Sequence, residues 1–135
     1  MLIYTHCYLD AAEFAGDRDE IVHTASAAGV SASVVPALSP DNFQAVRRCS
    51  ERYSRCYPAY GIHPLFVDSI GDGYVPHVRV WLQKELSGPF PPVAIGEIGL
   101  DFFVPGFDAE KQEACFVEQL KIAREFDLPV LLHVR

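Results

Sequence analysis

No apolar run in this sequence is long enough to cross a bilayer, which takes about 20 residues. The longest uncharged stretch, Thr24 to Pro40, is broken by Gly29 and Pro36 and is rich in Ala and Ser. The N-terminus carries no basic segment ahead of its short apolar run, so no signal peptide is expected. Cys7, Cys49, Cys56 and Cys115 are irregularly spaced and form no C-x-x-C pair. Neither a zinc finger nor a disulfide framework is signalled, and a reducing cytoplasmic setting is the expectation. Basic residues are few: 11 Lys and Arg stand against 18 Asp and Glu, a net charge of -7. That balance gives no global attraction for nucleic acid, although a metal site can supply positive charge locally. There is no Gly-rich phosphate loop, no low-complexity segment and no domain linker.

What is present is a chain of 135 residues, half of them hydrophobic and about a fifth charged. This is enough for one domain, residues 1–135, with a buried core. The organising stretch is Val93-Ala94-Ile95-Gly96-Glu97-Ile98-Gly99-Leu100-Asp101. Its apolar start reads as a strand buried on both faces, as in parallel sheets. A Glu at the end of such a run needs a partner, and Gly96 and Gly99 flank it where Cβ atoms would crowd a close approach.

The remaining elements alternate around that strand. A first strand begins at Met1-Leu2-Ile3 and runs into Thr5-His6-Cys7-Tyr8; a helix capped by Asp17 follows, with Ile21, Val22, Ala25 and Ala28 inward, and stops at Gly29. Ser31 to Leu38 reads as the second strand. Ser39-Pro40-Asp41 is a helix start, and that helix turns Phe43, Val46 and Cys49 to one side. A third strand, Tyr57 to Ile62, leads into His63-Pro64; a third helix spans about Val75 to Leu86 with Val78, Trp81 and Leu82 inward. After the fourth strand an aromatic loop precedes the longest helix, about Ala109 to Phe126, capped by Asp108 and striped by Phe116, Leu120 and Ala123 with Val117 beside it. Pro129 to Arg135 is the fifth strand.

Strand–helix alternation of this kind predicts an α/β fold with a parallel sheet and right-handed crossovers. Five strands fit either an open sheet or the first five strands of a TIM-like barrel, which in full has eight. In both, ligands gather at the carboxyl ends of strands, where His6, His63, Glu97 and His133 collect. A single strand-end histidine is most often a structural ring with its nitrogens satisfied. Several beside a glutamate point to divalent-ion chemistry, and His6, Glu97 and His133 are the candidate metal ligands.

In series, Thr5-His6-Cys7-Tyr8-Leu9-Asp10, Gly61-Ile62-His63-Pro64, Ile95 to Phe102 and Pro129 to Arg135 resemble the motifs of TatD-type metal-dependent deoxyribonucleases. Gln112, Phe116, Gln119, Leu120 and Ala123 resemble the family's helix before its fifth strand. The resemblance implies a partial barrel of the amidohydrolase kind, two divalent ions (zinc, manganese or magnesium) and phosphodiester hydrolysis of DNA. It implies that His6 binds one ion, that Glu97 bridges, and that His133 binds the other. His63 and Arg135 would then be the catalytic residues beside the phosphate, Arg135 as a planar fork for its oxygens.

Two departures qualify the expectation. Tyr4 and Tyr8 stand where the family's first motif has Asp and a second His. Ending at Arg135, the sequence is also expected to lack a later His ligand and a late metal-binding Asp. Each ion would keep two protein ligands, where a catalytic site usually has three. The alternatives to an impaired nuclease are a catalytically inactive barrel piece or engineered variant serving as a binding module, and a flavodoxin-like open sheet. No membrane partner is expected; self-association through apolar strand edges is.

Overall fold

A computed structural model of the chain describes residues 1–135. Strands β1 (Leu2–Tyr4), β2 (Val30–Pro36), β3 (Cys56–Tyr60), β4 (Ala94–Leu100) and β5 (Val130–Val134) form one parallel sheet in the order β1-β2-β3-β4-β5. Helices α1 (Arg18–Ala27), α2 (Phe43–Arg52), α3 (Tyr74–Leu86) and α4 (Ala109–Glu125) make the crossovers. The sheet curls strongly into half of a TIM-like barrel, which decides between the two forms that the alternation left open. No helix is long and apolar enough to cross a membrane.

Some local signals act where the sequence places them, but Asp17 precedes α1 without a side-chain cap bond, and Ile21, Val22 and Ala25 are only partly buried while Ala28 is exposed. Asp108 caps α4, its carboxylate accepting from the Lys111 N–H at 3.1 Å. Ser39 and Asn42 form a reciprocal capping box, but it opens a short 3-10 turn, Pro40–Asn42, and α2 starts only at Phe43. β2 stops at Pro36 and β3 at Tyr60, each two residues short of the predicted end. Beyond those ends backbone bonds still tie Ala37 to Ala59 and Glu97, and His63 to Leu38, as the chain enters the segments that build the site.

The core is an interlocked aromatic and aliphatic cluster. Phe43 of α2 packs on Tyr60 of β3 and Trp81 of α3, with ring centroids 5.1 and 5.6 Å apart. Val35, Ile62, Ile95, Ile98, Leu82 and Ile122 close around them. Glu85 of α3 is also buried, and the Arg47 Nε 2.9 Å away supplies its counter-charge.

Helix α4 is rotated from the stripe its hydropathy predicts, keeping Ala123 buried and Phe116 against the core but turning Val117 and Leu120 out. Gln112, Cys115, Gln119, Ile122 and Ala123 are buried, while Val117 and Leu120 are 47% and 37% exposed and Phe116 is half-buried. The two glutamines find backbone partners inside, which removes the usual cost of burying an amide.

Glycines permit the tight β4–β5 contact. A Cβ on Gly99, at φ +147°, would lie 1.9 Å from the His133 carbonyl oxygen, and one on Gly96 would lie 2.7 Å from the Leu131 Cβ. Both edge strands present apolar side chains to solvent. Every residue of β1 is exposed, and on β5 Leu132 and Val134 are exposed as well.

Candidate functional site

The site forms where β3, β4 and β5 deliver side chains to one side of the sheet. Gly99 stands opposite His133 in the β4–β5 register. Glu97 and Asp101 lie two residues to either side of Gly99, and alternate positions on a strand share a face. The bare Gly99 lets the His133 backbone come close, and from there the His133 imidazole spans the two carboxylates. Its Nδ1 is 3.2 Å from Glu97 Oε1 and its Nε2 is 2.8 Å from Asp101 Oδ2. His63, just past β3, completes the group: its Nε2 is 4.0 Å from Glu97 Oε1, and its ring centroid is 4.3 Å from that of His133. Ligand atoms of His63, Glu97 and His133 all lie within 4.8 Å of one another.

Each group has a defined protonation logic. The Leu65 N–H donates to His63 Nδ1 at 3.1 Å, so that nitrogen carries the lone pair and the neutral ring holds its proton on Nε2. His63 thus aims a donor at the centre of the group. Burial lowers the His63 pKa, and the positive field of His133 adds to this, against the opposing pull of Glu97 and Asp101. Asp101 is buried, and desolvation works to raise its pKa. The His133 hydrogen bond and the Val104 and Phe103 N–H groups outweigh that and hold the carboxyl below its usual value. Tyr8 donates its hydroxyl to Glu97 Oε2. Burial, then the bond to Glu97, raises the Tyr8 pKa, so the phenol keeps its proton.

These shifts carry a pH dependence. His63 has a folded pKa below its unfolded value of 6.5, so in the interval between them the unfolded chain binds the extra proton. Its contribution to stability is complete above pH 6.5 and is lost as pH falls through the folded value. Asp101 has the same sign lower down: its contribution holds above pH 3.8 and fades through its depressed folded pKa. Urea midpoints of ion-free protein from pH 8 to 5 are expected to fall less steeply for His63→Asn than for the wild type. Parallel profiles would contradict the assignment.

The other expected residues sit apart from this group. His6 is half-buried, with Nδ1 3.0 Å from the Thr5 hydroxyl, and is not among the clustered ligand atoms. Arg135 exchanges backbone hydrogen bonds with Leu100 and Phe102, and its guanidinium lies over the exposed Phe103 ring, 4.1 Å from the centroid. It flanks the group without entering it. Asp101 and the contact made by Tyr8 were not singled out in the sequence. The period-two spacing of Glu97, Gly99 and Asp101 was the available signal for Asp101.

A curled parallel half-barrel with a buried carboxylate and two imidazoles gathered at its strand ends has the plan of barrel hydrolases, whose sites lie at that edge. The chain belongs to the TatD related DNase family, whose model matches residues 3–135. It is 38% identical over 133 residues to an uncharacterized metal-dependent hydrolase, YjjV, of Escherichia coli, covering 98% of this chain and 50% of that protein. It is 35% identical over 127 residues to the 3'-5' ssDNA/RNA exonuclease TatD of Cronobacter sakazakii, covering 94% and 46%. The crystal structure of Escherichia coli YjjV superposes with a TM-score of 0.91 at 37% identity, over 99% of this chain and 51% of that one. A TatD family hydrolase of Entamoeba histolytica shares the fold, with a TM-score of 0.87 at 22% identity, over 99% and 50%. The chain spans about half the length of the curated relatives it matches.

Proposed function

We propose that the Glu97–His133 pair is a divalent-ion site and that the chain carries part of the catalytic centre of a metal-dependent hydrolase acting on the phosphodiesters of nucleic acid. The observation that carries this reading is the pairing of Glu97 Oε1 with His133 Nδ1 while Asp101 holds the far nitrogen of the same ring. A ligating imidazole usually has its second nitrogen fixed by a carboxylate in this way. Carboxylate and imidazole donors suit zinc or manganese, with magnesium a weaker match because it prefers oxygen. A divalent ion held there would polarise a phosphodiester oxygen.

The chain's own groups divide the remaining work. Glu97 and His133 bind. Asp101 orients. His63, with its proton on Nε2, suits donation to a phosphate oxygen better than ligation, because a ligand must offer a lone pair. Arg135 would reach a phosphate only by leaving Phe103. His6 and a second ion bridged by Glu97 belong to the fuller form of the reading. The Tyr8 hydroxyl on Oε2 competes with that second ion, and the phenol, kept protonated, does not replace an imidazole ligand. With fewer than three protein ligands per ion, turnover is expected to be weak.

The test is hydrolysis of a single-stranded oligonucleotide with added manganese. The expected result is activity below about 1 per second, abolished by a chelator. Ion binding without any turnover would favour the non-catalytic binding module. Hydrolysis indifferent to the chelator would overturn the proposal.

A further inference from the structure

We infer that α4 sets the site by two separate backbone clamps, with Gln119 positioning the His63 strand end and Gln112 positioning Asp101 and, through it, His133. The two glutamines lie seven residues apart, which puts them on one face of the helix two turns from each other. Both are 1% exposed. The Gln119 side-chain amide makes a two-point pair with a single residue: Oε1 accepts from the Ile62 N–H at 2.7 Å, and Nε2 donates to the Ile62 carbonyl at 3.1 Å. Gln112 does the same with Asp101: Oε1 accepts from its N–H at 2.8 Å, and Nε2 donates to its carbonyl at 3.0 Å.

Each clamp sits just past a strand, where the neighbouring strand still bonds the flanking residues, His63 to Leu38 and Leu100 and Phe102 to Arg135, but not the N–H and C=O of Ile62 or Asp101 themselves. Ile62 lies two residues past β3 and Asp101 one residue past β4. There the backbone needs polar partners that no neighbouring strand supplies, and an unpaired buried amide is costly. A primary amide presents one acceptor and one donor side by side, matching the N–H and C=O of one residue. It therefore fixes the residue's position and its rotation together. Ile62 is followed directly by His63, and Asp101 itself carries the carboxylate that holds His133 Nε2. A leucine at either position would fill much of the same volume and could not fix either backbone.

The consequence of this inference for ion binding rests on the reading proposed above; the positioning does not. Gln119→Leu is expected to speed exchange of the Ile62 amide on the order of tenfold while leaving exchange of the Asp101 amide near its wild-type rate. The His63 and His133 ring resonances, with their centroids 4.3 Å apart, move together and serve only to show that the site is reached. Gln112→Leu is expected to give the reverse pattern. Both measurements use 15N-labelled full chain without metal at fixed pH. Ile122→Val, on the same buried face, is the control for generalised loosening. Where a leucine variant does not fold, Gln119→Glu or Gln112→Glu keeps the acceptor for the N–H and loses the donor, and a smaller change at the same end is expected. Changes spread equally over both strand ends, or tracking lost stability as in Ile122→Val, would overturn the inference. In a parallel manganese titration Gln112→Leu, which frees the residue that orients the ligand His133, is expected to lose about 10- to 100-fold in affinity, and Gln119→Leu, which acts on the non-ligand His63, to lose much less. Failure of the wild type to bind manganese would defeat the ion site alone, with the exchange pattern still deciding the clamps.

Discussion

Glu97→Gln is expected to erase the thermal stabilisation that manganese or zinc confers on the wild-type chain. At an ion concentration about 100 times Kd, binding to the folded state alone adds about 2.7 kcal/mol. For a domain of this size that corresponds to a rise in Tm of about 10 °C. The substitution preserves side-chain size and leaves an oxygen to accept from Tyr8 or His133. It removes the negative charge and one carboxylate oxygen, the features a hard divalent ion requires. The matched measurement is a melting curve with and without ion for both proteins. An undiminished shift in Glu97→Gln would place the ion elsewhere and end the assignment of Glu97. His133→Ala should behave similarly, but Asp101 then loses the partner of a buried carboxylate, so its ion-free Tm should fall as well.

At micromolar concentration the chain is expected to sediment heavier than its 15.0 kDa monomer, in a concentration-dependent way. The two edges of the sheet are β1 and β5. Leu2, Ile3 and Tyr4 on one, and Leu132 and Val134 on the other, are exposed, with Val134 at 80%. Free N–H and C=O groups along an apolar edge invite another strand. Burying about 500 Å² of such surface contributes roughly 12 kcal/mol, against an association cost of 4–15 kcal/mol, which puts a self-associated form within reach without making it tight. Ile3→Lys and Leu132→Lys, which place charge on each edge, should shift the population to monomer. A cooperative monomer whose sedimentation ignores concentration would refute the expectation.

Much of this architecture was legible because parallel strands are buried on both faces and write themselves as apolar runs. Val34-Val35 and Ala94-Ile95 are examples, and Glu97 stood out because it breaks such a run. His63, Glu97 and His133 could be anticipated as a strand-end set for the same reason, since only a polar residue contradicts the run it ends. The inward face of α4 could not be read that way. Hydropathy counts Gln112 and Gln119 as outward, and their true partners are backbone atoms 11 and 57 residues away along the chain. Asp101 was hidden by a different limit. Its role depends on the β4–β5 register that sets Gly99 opposite His133, and register is a pairing property that neither strand states alone. His6 and Arg135 lie past their strands, as His63 and Asp101 do; what sets them apart is their contacts, His6 with the Thr5 hydroxyl and Arg135 over the Phe103 ring.

The strict spatial sequence of the strands has a bearing on how the molecule comes into being on the ribosome. Each strand docks beside the one made just before it, so the sheet can grow in the order of synthesis. The Phe43–Tyr60–Trp81 cluster can assemble once α3 has emerged, before β4 is made, giving the nascent sheet an early anchor. The glutamate, the aspartate and the second histidine arrive afterwards, each on an element that already has a neighbour to settle against. The strand ends that carry Glu97, Asp101 and His133 are thus laid onto a scaffold that has begun to hold its shape.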